Sequence, residues 1–248
     1  MRTSAVDIPT PDGVADAFIA RPDGDGPFPG VVFNMDGVGL RPVLEAMATR
    51  LAAHGYVVLV PNAFYRGGRA PLVPLEELFA KERSPETMKK LMGLIGSMTP
   101  ESAASDAATW VAFLDSQDDV SDGPMATLGY CMGAALAIRT AAAFPDRMTA
   151  VATFHGGNLA TETDTSPHLL LPGIKAELYV GHADNDGSAP PEQQQRLREA
   201  LDAAGLVYEA ELHVGSGHGW TMTDLPVYDE AAAELAWGKM LALLGRNL

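Results

Sequence analysis

Cysteine is nearly absent: one thiol, Cys131, stands in 248 residues. That excludes an intrachain disulfide framework and fits a reducing, cytoplasmic compartment. Cations are scarce as well, with 17 Lys and Arg against 32 Asp and Glu and a formal net charge of −15. A surface so acidic repels nucleic acid and anionic membrane, so neither is expected as a partner. No apolar run approaches the roughly 20 residues that span a bilayer. The opening MRTSAVDIPTPDG has no apolar stretch behind its one arginine, and no secretory leader is expected. Internal repeats, low-complexity tracts and interdomain linkers are missing, so 1–248 reads as a single domain of a size one core can fill. The histidines and carboxylates lack H-E-x-x-H or comparable spacing, and neither a metal nor another cofactor is expected.

What is present alternates regularly. VDIPTPDGVADAFIARP reads as two short strands around a Pro-Asp-Gly turn. PGVVFNM (29–35), YVVLVP (56–61) and MATLGY (125–130) are apolar runs of strand length, as expected for strands covered on both faces. MTAVATF (148–154), AELYVG (176–181) and VYEAELHV (207–214) complete the strands. Helical spacing appears between them, in 42–55 ending at Gly55, in the Ala-rich stretch after Cys131, in 191–205 and in 229–245. Such alternation predicts an α/β fold: a mostly parallel central sheet with helices on both faces. The stretch 66–101 breaks the rhythm. It is long, partly helical and rich in proline, and reads either as a cover over an active site or as a decorative insertion.

The lone cysteine lies in LGYCMGAALAI, where a strand gives way to a helix. Packing alone can explain a buried thiol. Gly129-Tyr130-Cys131-Met132-Gly133, however, is the spacing of a nucleophile elbow with cysteine in place of serine. A nucleophile on so tight a turn needs small residues two positions to either side, so that strand and helix can approach. The helix start also offers unpaired N–H groups that favour a thiolate. An elbow requires an acid and then a histidine further along the chain. His218, in the glycine-rich VGSGHGW after the last strand, fits the base. Asp184, just beyond the strand AELYVG, is the expected acid, with Asp186 its rival. His213 reads as structural. The three elements fall at strand C-terminal ends, the edge along which open α/β sheets bind ligands.

Cys131 in GYCMG, Asp184 in GHADND and His218 in GHGW resemble the triad of the dienelactone hydrolase family, a branch of the α/β-hydrolase fold. VVFNMDGVG and GYVVLVPNAFYR resemble two of its strands, so the likeness spans nearly the whole chain. It implies that Asp36, where the family has glutamate, holds or deprotonates the thiol, against the alternative of a turn residue in Asp-Gly. It also implies that Arg66 faces a substrate carboxylate. The amides of Gly37 and Met132 suit an oxyanion hole. Met222 stands where family members acting on dienelactone have a second arginine, which implies a weaker hold on anionic substrates. His155, Trp220 and Tyr65 are candidate pocket residues, or else filling.

The function implied is a cysteine-dependent hydrolase of carboxylic esters or lactones, acting on a small molecule through an acyl-thioester. The alternatives are a non-catalytic small-molecule-binding or thiol-sensing protein on the same fold, and a thiol peptidase. Oligomeric state leaves no signature in the sequence.

Overall fold

The apolar runs become the middle of one eight-stranded sheet. The structure, a computed structural model, describes residues 1–78, 80 and 84–248. Strands β3 (Gly30–Asn34), β4 (Val57–Pro61) and β5 (Met125–Tyr130) are buried at every residue. β6 (Met148–Phe154), β7 (Glu177–Asn185) and β8 (Tyr208–Gly217) extend the sheet on one side. The hairpin β1 (Arg2–Thr10) and β2 (Gly13–Arg21) closes the other. The order is β1-β2-β4-β3-β5-β6-β7-β8. Only the β1–β2 and β2–β4 pairs are antiparallel; β4 through β8 run parallel, as the alternating pattern predicts.

Helices cover both faces. α1 (Pro42–Ala52) and α7 (Glu230–Asn247) place Leu44, Leu51, Met240 and Leu244 against one side of the sheet. Gly55, at φ 94°, turns the chain after α1 into β4. α4 (Pro100–Asp115), α5 (Met132–Ala143) and α6 (Pro191–Ala203) cover the other face through Trp110, Leu114, Ala137, Ile138 and Leu197.

The irregular stretch 66–101 holds α2 (Leu75–Leu78) and α3 (Pro85–Gly96), the latter capped by Ser84. Part of the helical content expected in 66–101 falls on residues 79 and 81–83, outside the described residues. Thr99 caps α4 by accepting from the Ser102 amide, so Glu101 already belongs to the crossover helix that leads into β5. Among the described residues no helix is long and apolar enough to cross a membrane.

One stack fixes the strand end that carries the thiol. Tyr130 is buried between Phe33 and Phe154, with ring centroids 4.9 and 4.7 Å away, so β3, β5 and β6 are locked in register one residue before Cys131.

Candidate active site

Cys131 adopts φ 53° and ψ −119°, a conformation that costs a non-glycine residue about 1–3 kcal/mol. Its surroundings enforce it. The Cys131 amide donates to the Phe154 carbonyl at 3.0 Å, and the chain must then turn at once into α5. The flanking glycines are a steric requirement. A Cβ on Gly129 would stand 2.1 Å from the Gly133 carbonyl oxygen, and one on Gly133 would stand 2.4 Å from the carbonyl oxygens of both Asn34 and Met35. The elbow is therefore wedged against the end of β3. The half-buried thiol sits at the N-terminus of α5, where the helix dipole favours negative charge.

His218 follows β8 and faces the thiol. Burial alone would lower its pKa, but hydrogen bonding to Asp186 and Cys131, and the charge of each, push it up to about 10. Its Nδ1 lies 2.7 Å from Asp186 Oδ2. Burial would raise the Asp186 carboxyl, yet the bonds from His218 and Ser188 outweigh it and hold the group below its ordinary value. Ser188 donates from both its amide (2.8 Å) and its hydroxyl (2.6 Å) to Asp186 Oδ1. Thr221 fixes a neighbouring imidazole: its hydroxyl lies 2.8 Å from Nε2 of His155, whose buried ring packs edge-on against His218 at 5.2 Å.

The geometry corrects the sequence reading at the acid. The expected partner, Asp184, is exposed, and its carboxylate accepts from the Gly215 amide. The reason is strand length. β7 does not stop at Gly181 but pairs with β8 as far as Asn185, with a register shift between Ala183 and Asn185. Asp184 is thus a residue of the strand, and Asp186 is the first residue to leave it.

The other expected contacts also change. Asp36 is buried, but both its oxygens receive the Arg41 guanidinium, at 2.7 and 2.9 Å, and Oδ1 also accepts the Val38 amide. It makes no hydrogen bond to Cys131, because an arginine that the motif did not signal takes its charge. Arg66 is likewise spent, held by Asp106 (2.8 and 2.9 Å) and Asp12 (2.7 and 2.9 Å) while stacking on Tyr65. Its guanidinium is not free for a substrate anion. Met222 and Trp220 are fully buried core residues; Trp220 stacks on His213 at 4.1 Å. Neither lines the cleft. Neither the Gly37 amide nor the Met132 amide is taken by a backbone acceptor in the surrounding turns. A Cβ on Gly37 would meet Ile95 at 2.9 Å, so α3 packs directly over the Asp36–Gly37 turn.

Ser188 and Arg41 are the residues around the site that sequence reading missed. Asp186-Gly187-Ser188 carried a signal, since an aspartate two residues before a serine forms a local side-chain turn. Arg41 carried none.

Beside the elbow a cleft of about 340 Å³ opens between α3, α5 and the loop after β6. Ile95, Met98, Met132, Leu136, Gly157 and Asn158 contribute to its wall. Gly157 joins it to the Asp186–Ser188 turn, since a Cβ there would stand 2.5 Å from the Ser188 hydroxyl. α3, which lies within 66–101, contributes Ile95 to the wall of this cleft.

A family model described as the dienelactone hydrolase family matches residues 15–248. A protein of Escherichia coli K12, provisionally named carboxymethylenebutenolidase, is 27% identical over 237 residues, covering 94% of this chain and 83% of its own length. The carboxymethylenebutenolidase of Pseudomonas putida is 24% identical over 245 residues, covering 98% of this chain and 97% of its own length. A solved structure from Klebsiella pneumoniae, provisionally called a dienelactone hydrolase, superposes with a TM-score of 0.84 at 21% identity. It covers 99% of this chain and 98% of that one, a likeness that bears on the α/β-hydrolase fold.

Proposed function

The chain belongs to the dienelactone hydrolase family and is a hydrolase of that kind, and on that footing we propose that it cleaves carboxylic esters or lactones with Cys131 as nucleophile. One observation carries the reading. Cys131 is held strained on a strand-to-helix turn, facing a histidine whose other nitrogen bonds a buried carboxylate.

His218 accepts the thiol proton, and its raised pKa favours the imidazolium that results. Asp186 holds the imidazole in one orientation and tautomer and balances its charge. The thiolate attacks the substrate carbonyl carbon. The oxyanion that forms is received by the Gly37 and Met132 amides, which lie where the end of β3 meets the start of α5. When the tetrahedral intermediate collapses, His218 gives its proton to the departing alkoxide and a thioester on Cys131 remains. His218 then takes a proton from water, the hydroxide adds to the thioester, and the acid leaves as the thiolate is restored. No step calls on a metal or other cofactor, and the single thiol supports a reducing, cytoplasmic setting.

A panel of p-nitrophenyl esters, enol lactones and peptides tests this. Wild-type protein should release p-nitrophenolate from the esters, accumulate an acyl adduct of Cys131 detectable by intact mass, and leave peptides uncut. Cys131→Ala should lose both turnover and adduct. Turnover that survives Cys131→Ala would remove the nucleophile assignment, and the absence of any ester or lactone turnover would favour a binding or thiol-sensing protein.

A further inference from the structure

α5 begins at the nucleophile and forms one wall of the cleft. Met132, Ala135, Leu136 and Arg139 all line it, at spacings of three, four and seven residues. Those spacings lie on one face of a helix. A straight track therefore runs from the elbow over apolar side chains to a guanidinium. Eight residues separate Cys131 from Arg139, which places their Cα atoms about 12 Å apart along the helix axis. Ile95, Met98, Asn158, Thr161 and Thr163 belong to the same lining, and the Thr165 carbonyl marks the cationic end.

Arg139 differs from Arg41 and Arg66. Arg41 and Arg66 are each held by two aspartates. Among the described residues Arg139 is the one charged side chain on the cleft wall. Its hydrogen bond there goes to the neutral Thr165 carbonyl, at 2.5 Å. Burial pushes its pKa down, and Glu101 opposes that only through space. A partly buried guanidinium with most of its donor fork unspent is suited to bidentate capture of a carboxylate.

We propose that Arg139 is the anion-recognition residue of this cleft, selecting esters or lactones whose reacting carbonyl is joined to a remote carboxylate by an apolar spacer. This rests on the Cys131 reading above and adds the substrate class. Short acids, whose carboxylate lies close to the reacting carbonyl, fall short of Arg139. Arg66 and Met222 provide no substitute, one being ion-paired and the other buried.

The test uses p-nitrophenyl monoesters of α,ω-dicarboxylic acids of graded chain length, each beside its methyl ester. Acetate esters of ω-hydroxy acids form the reversed series. The acid-to-methyl-ester ratio of kcat/KM is measured at each length, with the neutral substrate as reference within each variant. In wild type the ratio should be low for the shortest members of at least one series and climb about ten- to hundred-fold once the chain spans the apolar track, the gain typical of a charge-assisted contact. Arg139→Gln should abolish the climb, Arg139→Lys should restore part of it, and Arg66→Gln should leave it in place. A ratio flat with length in both series, or a climb that survives Arg139→Gln or disappears in Arg66→Gln, overturns the proposal. The wild-type length dependence stands even if a variant fails to fold. Methyl esters cleaved through Cys131 while the acid-to-methyl-ester ratio stays flat with length in both series would sink this inference alone. Methyl esters left uncleaved, or cleaved equally by Cys131→Ala, would sink the functional reading beneath it.

Discussion

Arg41 grips Asp224 across 183 positions of sequence, with Nε 2.7 Å from one carboxylate oxygen and Nη2 3.2 Å from the other. Its other edge holds Asp36. The guanidinium thus clasps the Asp36–Gly37 turn to the segment that follows His218. Arg41→Ala would leave the buried Asp36 without its counter-charge, at a cost of about 3–5 kcal/mol. Urea unfolding should show a fall of that order. Arg41→Lys should recover only part of it, since an ammonium cannot form two forks. If Arg41→Ala leaves the urea midpoint unmoved, the clasp is not a stabilising element.

Asp186 and Asp184 are two residues apart, and exchange of either for asparagine separates their roles. Asp186→Asn removes the acceptor that orients His218 and should lower ester turnover by about two to four orders of magnitude. Asp184→Asn, an exposed change, should stay within about 0.5 kcal/mol of wild type in both stability and turnover. Steady-state kinetics on one ester decide it; the reverse ranking would return the acid to Asp184.

The raised pKa of His218 sets two pH dependences. Turnover that needs the imidazolium as acid should decline as pH rises through about 10, and the decline should move to lower pH in Asp186→Asn. Stability follows the same proton. The folded state holds it more tightly than the unfolded chain, whose histidine titrates near 6.5. The His218 contribution is therefore complete below pH 6.5 and lost as pH approaches about 10. Denaturation across that window should show a decline that His218→Ala reduces. An identical decline in His218→Ala would assign it to other groups.

Ser188 donates to the Asp186 oxygen that His218 leaves free, and its hydroxyl also lies 3.3 Å from His218 Nδ1. Ser188→Ala removes a hydroxyl bond to a charged acceptor but keeps the amide bond, so kcat/KM should fall about tenfold. The alkaline limit should shift downward in the same direction as in Asp186→Asn, though less far. A change in KM alone would make Ser188 a cleft residue and not a support for the acid.

Gly133 and Gly93 give a steric contrast. Gly133→Ala brings a Cβ to 2.4 Å from two carbonyl oxygens and should cost about 3 kcal/mol or more, a fall in Tm of about 6–12 °C. Gly93→Ala, on the exposed face of α3 with nothing within 4 Å, should raise stability by about 1 kcal/mol. Thermal melts followed by circular dichroism check both. A tolerated Gly133→Ala would mean the elbow is not wedged against β3.

The sequence by itself determined the sheet, its helices and the elbow, because each rests on neighbours in the chain. Apolar runs the length of a strand mark β3, β4 and β5. Helical spacing marks α1, α5 and α7. Gly129 records a clash with Gly133, four residues on, whereas Gly133 records one with the carbonyls at the end of β3. The tertiary structure alone decided what each charged side chain faces. Asp184 and Asp186 are equivalent in composition and context, and only the pairing of β7 with β8 carries the strand past the first and releases the second. Asp36 and Arg66 match the family's motif positions, yet their partners Arg41, Asp106 and Asp12 are chosen by folding, which in the case of Arg66 and Asp106 joins residues 40 positions apart. A side chain's local sequence sets its backbone; its charge is spent on whichever opposite charge the packed elements bring within 3 Å.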